Sequence, residues 1–291
     1  MKYRFITEQC SDISVEKMCR FLKVSRSGYY DWQVRGPSRR TLENERLLGK
    51  IQVAHSNSRG TYGSPRIYED LKAAGENCSP YRVTRLMRLN GIKAKARKKF
   101  KKTTDSEHKL AIAPNLVNQD FTAADVNQLW LSDITYIWTN EGWLYLAAIL
   151  DVYSRKIVGW SIKDRLYKEI VTDAINKALR RRKIGRGVVF HSDKGSQYAS
   201  KAVCDLLKLS GFRQSMSGKG NCYDNAMMES FFHSLKSDIV HGEQFSTRDE
   251  ARQAVFEYIE IFYNRERRHS GINYMTPVQF ELNYSKLLLA A

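Results

Sequence analysis

The sequence predicts an α/β core, a mixed sheet flanked by helices, preceded by an all-α helix-turn-helix region. Three observations predict it. Apolar runs of strand length, joined by tight turns, fill residues 129–162. Shorter apolar runs near 188 and 213 then alternate with amphipathic helical stretches. Residues 13–91 carry helical periodicity and helix caps instead.

In order, Ser14 is placed to cap a helix with Val15, Met18, Cys19 and Leu22 on one face. Ser25 is placed to cap a second helix from Arg26, giving a helix-turn-helix shape whose second helix would enter a major groove. Residues 41–54 predict a helix with Leu42, Leu47, Leu48, Ile51 and Val53 as its apolar set. Ser64 and Pro65 suit a cap and a first helical position, with Ile67, Leu71 and Ala74 inward. Ser79-Pro80 opens a further helix, with Val83, Leu86 and Met87 inward, that Gly91 ends. A run from Lys93 to Lys102 follows, seven of its ten residues basic. It reads as a linker able to meet phosphates in a salt-dependent way.

From about 127 the pattern changes. Leu129–Trp138, Trp143–Val152 and Lys156–Ile162 read as three strands of an antiparallel meander. Ile170, Val171, Ala174, Ile175, Ala178 and Leu179 mark a helix. Val188–Phe190 is a fully apolar strand, as expected of a parallel position covered on both faces. Ser200 to Gly211 is a helix, Arg213–Met216 a short strand, and Glu229 sits on the next helix. Three strands and then an α-β-α-β-α alternation describe the ribonuclease H-like layout. The expected divisions are 1–40 (helix-turn-helix-like), 41–92 (helical, DNA-binding), 93–126 (basic linker), 127–283 (catalytic core with C-terminal helices) and 284–291 (tail).

Charge separates these parts. Residues 1–120 hold 25 Lys/Arg against 12 Asp/Glu, whereas the remainder holds 23 against 19. A basic front end ahead of a near-neutral core points to a polyanion partner, nucleic acid first. No long basic amphipathic helix suits a membrane surface, and no apolar run reaches spanning length. The five cysteines, Cys10, Cys19, Cys78, Cys204 and Cys222, form no C-x-x-C pair, which argues for reduced thiols and a cytoplasmic protein.

Three acids stand out. Asp133 lies inside the first strand, Asp193 ends the fourth, and Glu229 lies on a helix with 35 residues between it and Asp193. A charge in an apolar strand is costly without a partner. A shared pair of divalent metal ions is the simplest one. Magnesium takes oxygen ligands, one or two carboxylates at a time. Two such ions suit in-line displacement at phosphorus. Mg²⁺ is expected, with Mn²⁺ an alternative.

The flanking residues sharpen this reading. Trp130-Leu131-Ser132-Asp133-Ile134-Thr135-Tyr136-Ile137, His191-Ser192-Asp193-Lys194-Gly195-Ser196-Gln197-Tyr198 and Asp224-Asn225-Ala226-Met227-Met228-Glu229 together resemble an insertion-sequence transposase. The type is OrfB, with a retroviral-integrase-like Asp-Asp-Glu catalytic core. Tyr62-Gly63-Ser64-Pro65-Arg66 and Tyr263-Asn264-Arg265 through His269-Ser270-Gly271 resemble the segments that precede and close that core. Ser132 stands where Thr is frequent. The resemblance implies that Asp133, Asp193 and Glu229 are the catalytic, metal-binding triad, and that Lys236 contacts DNA. It implies cleavage of element ends and transfer of 3′-hydroxyl ends to DNA. It also implies double-stranded DNA as partner, complexes of at least two subunits, a bacterial nucleoid setting and an upstream OrfA partner or fusion. Arg26, Arg66, Lys98, Lys99, Lys101 and Lys102 are further expected DNA contacts.

Other residues have plainer readings. Asp151 is expected to cap a turn, Asp224 and Asn225 to cap the Glu229 helix, and His191 to be a hydrogen-bonded structural histidine. Arg180-Arg181-Arg182-Lys183 reads as a solvated helix end, and Trp130, Trp138, Trp143 and Trp160 as core. Two rival functions share much of this sequence: a non-enzymatic DNA-binding regulator of transposition, and a nuclease without strand transfer.

Overall fold

The computed structural model describes residues 2–95, 110–218, 222–240 and 244–290. Helices α1 (Lys2–Gln9), α2 (Val15–Phe21) and α3 (Arg26–Val34) pack around Ile6, Met18, Cys19 and Tyr29. Helix α1 is absent from the sequence reading. Ser25 caps α3 by accepting from the Gly28 N–H at 3.2 Å, whereas Ser14 precedes α2 without a side-chain bond.

Helices α4 (Arg39–Asn57), α5 (Ser64–Ala73) and α6 (Pro80–Leu89) bury Leu47, Ile51, Ile67, Leu71, Val83, Leu86 and Met87 in the same core as one face of the sheet. Fully burying such a side chain is worth about 1.5–3 kcal/mol over leaving it exposed. Leu42 and Val53 depart from expectation, at 52% and 60% exposed. On a 3.6-residue helix both lie off the line joining Leu47 to Ile51. Gly63, not Ser64, takes the cap position of α5, and Ser79 caps α6 through the Arg82 N–H. Helix α4 crosses the division expected at residue 40.

The sheet has the order β3-β2-β1-β4-β5. Its strands are β1 (Leu129–Thr139), β2 (Gly142–Asp151), β3 (Ile157–Lys163), β4 (Val189–Ser192) and β5 (Arg213–Met216). The first three form the expected antiparallel meander, and β4 and β5 add in parallel. Helices α7 (Glu169–Arg181) and α8 (Lys201–Leu209) cover one face, around Trp130, Phe190 and Ile175. The close approach of α7 needs Gly159, where a Cβ would stand 2.3 Å from the Ala174 carbonyl oxygen. Ser200 precedes α8, but its hydroxyl donates to the Gln197 carbonyl instead of capping.

The other face carries α9 (Ala226–Leu235), α10 (Arg248–Phe256) and the π-helical stretch Glu257–Glu266, with α4–α6 beyond. Helix α9 itself runs into a π-helical turn, Lys236–Val240. Helix α11 (Pro277–Ala290) continues through the residues expected to be a tail.

A polar seam joins α4–α6 to the segment after the π stretch. The Arg268 N–H donates to Tyr62 Oη at 2.7 Å, and Arg66 Nε donates to the Arg268 carbonyl at 2.9 Å. The Arg268 guanidinium pairs with Asp70.

Candidate active site

Leu131 pairs with His191 across the parallel β1–β4 ladder. Continuing that register two residues sets Asp133 level with Asp193, just past the end of β4. Neighbouring strands lie about 4.8 Å apart, so the two carboxylates share one edge of the sheet. Asp133 is half-buried, and its Oδ1 accepts from the Ile134 N–H at 2.7 Å. Asp193 Oδ1 accepts from the Gly195 N–H at 2.9 Å, in a tight turn after the strand. Glu229 approaches from the first turn of α9, on its exposed side, where a helix N-terminus favours negative charge.

The electrostatics join the three. Burial, first, holds the Asp133 carboxyl well above the usual carboxylate range. The charge of Asp193 pushes it further up, and Glu229 adds to it, against the Ile134 N–H and Lys236. Lys236 is buried at the end of α9, with Nζ 4.6 Å from the centre of the Tyr136 ring. Burial brings its ammonium down to about 8, against the pull of Asp133. Among the described residues, no three His, Cys, Asp or Glu side chains are gathered into a ready-made metal cage. The acids converge electrostatically while Glu229 stays exposed. Their donor set is all oxygen, which fits a hard divalent cation.

A supporting layer lies behind Asp133. Ser132 Oγ donates to the Ala148 carbonyl at 3.0 Å, so the Tyr198 hydroxyl, 2.8 Å away, donates to Ser132. Tyr198 is fully buried, and burial, then Asp133 and Asp193, push its phenol well up. It therefore stays a neutral donor. The sequence offered only its position after Asp193. Asn225 Nδ2 donates to the Ser132 carbonyl at 3.2 Å and ties the start of α9 to β1.

Several expectations need correcting. Asn225 makes no side-chain cap of α9, and Asp224 accepts from the Gly218 N–H at 2.6 Å and from Asn115. Arg181 and Arg182 are not a free solvated end: they pair with Glu260 and Glu281. Trp130 and Trp160 are core, but Trp138 and Trp143 are 53% and 43% exposed and meet edge-to-face at the hairpin end. His191 is a structural histidine, with Nδ1 2.8 Å from Ser215 Oγ, and Asp151 caps the turn through the N–H groups of Tyr153 and Ser154.

The expected DNA contacts are scattered. Arg26 is exposed on α3, beside the Tyr30 ring. Arg66 lies in the seam, bound to the Arg268 carbonyl. Lys98, Lys99, Lys101 and Lys102 lie outside the described residues. No helix among the described residues is long and apolar enough to cross a membrane. A cavity of about 670 Å³ between α4, α5 and the π stretch is lined by none of the three acids.

Comparison with known proteins points one way. Residues 123–222 and 229–283 both match integrase core domain families, and residues 42–100 match an HTH-like domain. The chain is 44% identical over 283 residues to transposase InsF for insertion sequence IS3A of Escherichia coli (strain K12), covering 97% of this chain and 98% of that one. It is 44% identical over 270 residues to an uncharacterized 31 kDa protein of insertion element IS600 of Shigella sonnei, covering 93% and 99%. Among solved structures, the catalytic core domain of BIV integrase overlays 56% of this chain and 99% of that one, at 18% identity and a TM-score of 0.41.

Proposed function

The chain belongs to the IS3 family of insertion-sequence transposases, and from that premise we propose that Asp133, Asp193 and Glu229 are its catalytic, metal-binding triad. The observation that carries this is the convergence of three acids, from β1, the end of β4 and α9: burial raises the Asp133 carboxyl first, and the charges of Asp193 and Glu229 raise it further. Carboxylates packed together this way repel unless a cation is shared among them. Mg²⁺, or Mn²⁺ in its place, would be held by these three side chains, and two such ions would supply charge stabilisation to an in-line displacement at phosphorus.

The protein's own groups do the rest. The Gly195 and Ile134 N–H bonds fix the two aspartates. The Tyr198–Ser132–Ala148 chain holds β1 against its neighbours. Lys236 sets a positive charge beside Asp133 and is placed to meet a phosphate of the bound strand. The chemistry is two displacements at phosphorus. In the first, water forms a bond to phosphorus at an element end, and the 3′-oxygen leaves as a hydroxyl. In the second, that hydroxyl forms the new phosphodiester while the bond at the target breaks. No covalent protein intermediate is needed.

The basic front end suits the element ends, with 1–40 and 41–92 as helical DNA-binding regions, 93–126 as a basic linker, 127–283 as the catalytic core and 284–291 as its end. Arg26 and Lys98, Lys99, Lys101 and Lys102 would contact backbone phosphates. Two ends must meet, so the working form is a complex of at least two subunits, with an upstream OrfA partner or fusion, in the bacterial cytoplasm at the nucleoid.

The test uses purified chain, Mg²⁺ and a labelled duplex ending in the element's own terminus, beside Glu229→Gln. Joined products that need metal and vanish in the variant are expected. Equal product from the variant would remove Glu229 from the triad.

A further inference from the structure

A second charged site lies on the opposite face of α9. A cavity of about 190 Å³ opens between α9 and the segment after the π stretch, and Arg66, Arg155, Ser230, Ser234, Arg267 and His269 contribute to its lining. Its size is several times the ~30 Å³ that one water occupies in the liquid. Among the described residues every charged group of the lining is cationic, and no carboxylate belongs to it.

Two donors there are orphaned. Arg267 and His269 are only 6% and 7% exposed. Arg267 spends one terminal nitrogen on Ser234 Oγ at 3.2 Å and the other on His269 Nδ1 at 3.3 Å. Its Nε–H has no partner. A guanidinium only donates, so His269 Nδ1 is the acceptor. A neutral imidazole that accepts at Nδ1 carries its proton on Nε2. That Nε2–H has no partner at normal hydrogen-bond geometry among the described residues, although the Tyr263 carbonyl lies near the ring. Burial, then Arg267, Arg66 and Arg155, hold the imidazole well below its usual range, opposed only by the Tyr263 carbonyl. The ring therefore stays neutral with this tautomer.

The remaining cations are positioned as well. Arg66 is anchored through Nε on the Arg268 carbonyl. The Arg155 guanidinium lies flat against Gly271, where a Cβ would stand 2.9 Å from it. A buried donor without an acceptor costs about 1–3 kcal/mol. Guanidiniums, unlike carboxylates, cannot escape by changing protonation. A tetrahedral oxyanion answers both needs, since it supplies charge and several acceptors at once.

We propose that this cavity binds a backbone phosphate group of the DNA that the chain acts on, with Arg155, Arg267 and His269 as its donors. The proposal rests on the transposase reading for the identity of the strand, while the anion chemistry stands on the cavity alone. Met227, Ser230, Phe231 and Ser234 line it at helical spacing, while Glu229 and Lys236 lie on the opposite face of the same helix. The width of α9, about 10 Å with its side chains, thus separates the cavity from Glu229, and DNA that meets both must pass around this helix.

The experiment has two arms, both on the full chain without metal. In the first, thermal unfolding is followed in inorganic phosphate against chloride of equal ionic strength. Phosphate should raise the midpoint of the wild type in a saturable way, and Arg155→Gln and Arg267→Gln should lose that response. Arg155→Gln removes no hydrogen bond seen within the fold, so it remains informative where Arg267→Gln fails to fold. An equal response of wild type and Arg155→Gln, or none in either, overturns the site. In the second arm, element-end duplexes carry one methylphosphonate at a time. One position should weaken wild-type binding roughly tenfold, the size of one charge-assisted hydrogen bond. The same substitution should cost Arg155→Gln nothing further. Losses that multiply at every position overturn the strand as the source, even where free phosphate binds. Neither arm depends on catalysis, so a failed triad assignment, seen as full activity in Glu229→Gln, is read separately.

Discussion

At the end of β4, three carboxylates stand against one lysine. Across α9, three arginines and a neutral histidine stand against no carboxylate. Both regions gather like charge in a partly dry setting, but their chemistry leaves different exits. A carboxylate can take up a proton, and Asp133 is already pushed that way. An arginine cannot shed one at any ordinary pH. The acid end should therefore answer to pH and to cations, and the arginine seam to anions alone. That contrast is open to direct tests.

The largest effect is expected from Asp133→Asn. Strand transfer should fall by roughly 10³-fold or more, about 4 kcal/mol of barrier, with DNA binding retained in a mobility assay. The same variant should melt higher than wild type in chelator, because it removes a carboxylate that its neighbours repel. A lower midpoint would show that the acids do not repel as described.

Next comes the seam's own hydrogen bonding. Tyr62→Phe removes the acceptor of the Arg268 N–H and should cost about 1–3 kcal/mol in urea unfolding. A cost near zero would mean the seam is held by apolar packing alone.

A smaller effect should appear in the pH dependence of the metal-free chain. The Asp133 pKa is raised by folding, so its contribution to stability is complete below the ordinary carboxylate range. It is lost as pH rises through the raised value. Asp133→Asn should flatten that fall, and Arg155→Gln should leave it intact. Lys236 has the opposite sign. Its pKa falls on folding to about 8, so stability should rise as pH climbs from there toward its ordinary value of 10.5. Lys236→Met should remove that rise.

The smallest effect is expected from Gly271→Ala. The added methyl meets only the tip of Arg155. Stability should change by no more than about 0.5 kcal/mol, while the phosphate response weakens because Arg155 must move aside. An unaltered phosphate response would take Arg155 out of the cavity's donors.

What the sequence disclosed follows from how local each signal is. The meander was legible because apolar runs and turns such as Asn140-Glu141-Gly142 are neighbours in the chain. Asp133 and Asp193 could be read as companions, because a fully apolar β4 implies a central parallel place. Periodicity gives a helix a face but not its cover. Leu42 and Val53 were therefore misjudged, and Trp138 and Trp143 stand at a hairpin end that no helix roofs. Tyr198 needed the closure of β4 onto β1 before its hydroxyl met Ser132. The arginine seam was least legible, since Tyr62 and Arg66 find Arg268 some 200 residues later.

That span has a consequence in time. A bacterial ribosome adds about 5–20 residues each second. After α5 has emerged, Arg268 is therefore still about 10–40 s from being made. Throughout that interval Tyr62, Arg66 and Asp70 lack their final partners, and until the strands through Met216 are made the apolar faces of α4–α6 have no complete sheet to lie on. The seam at Tyr62, Arg66 and Asp70 must therefore wait for the last quarter of the chain. A chain released early would never close.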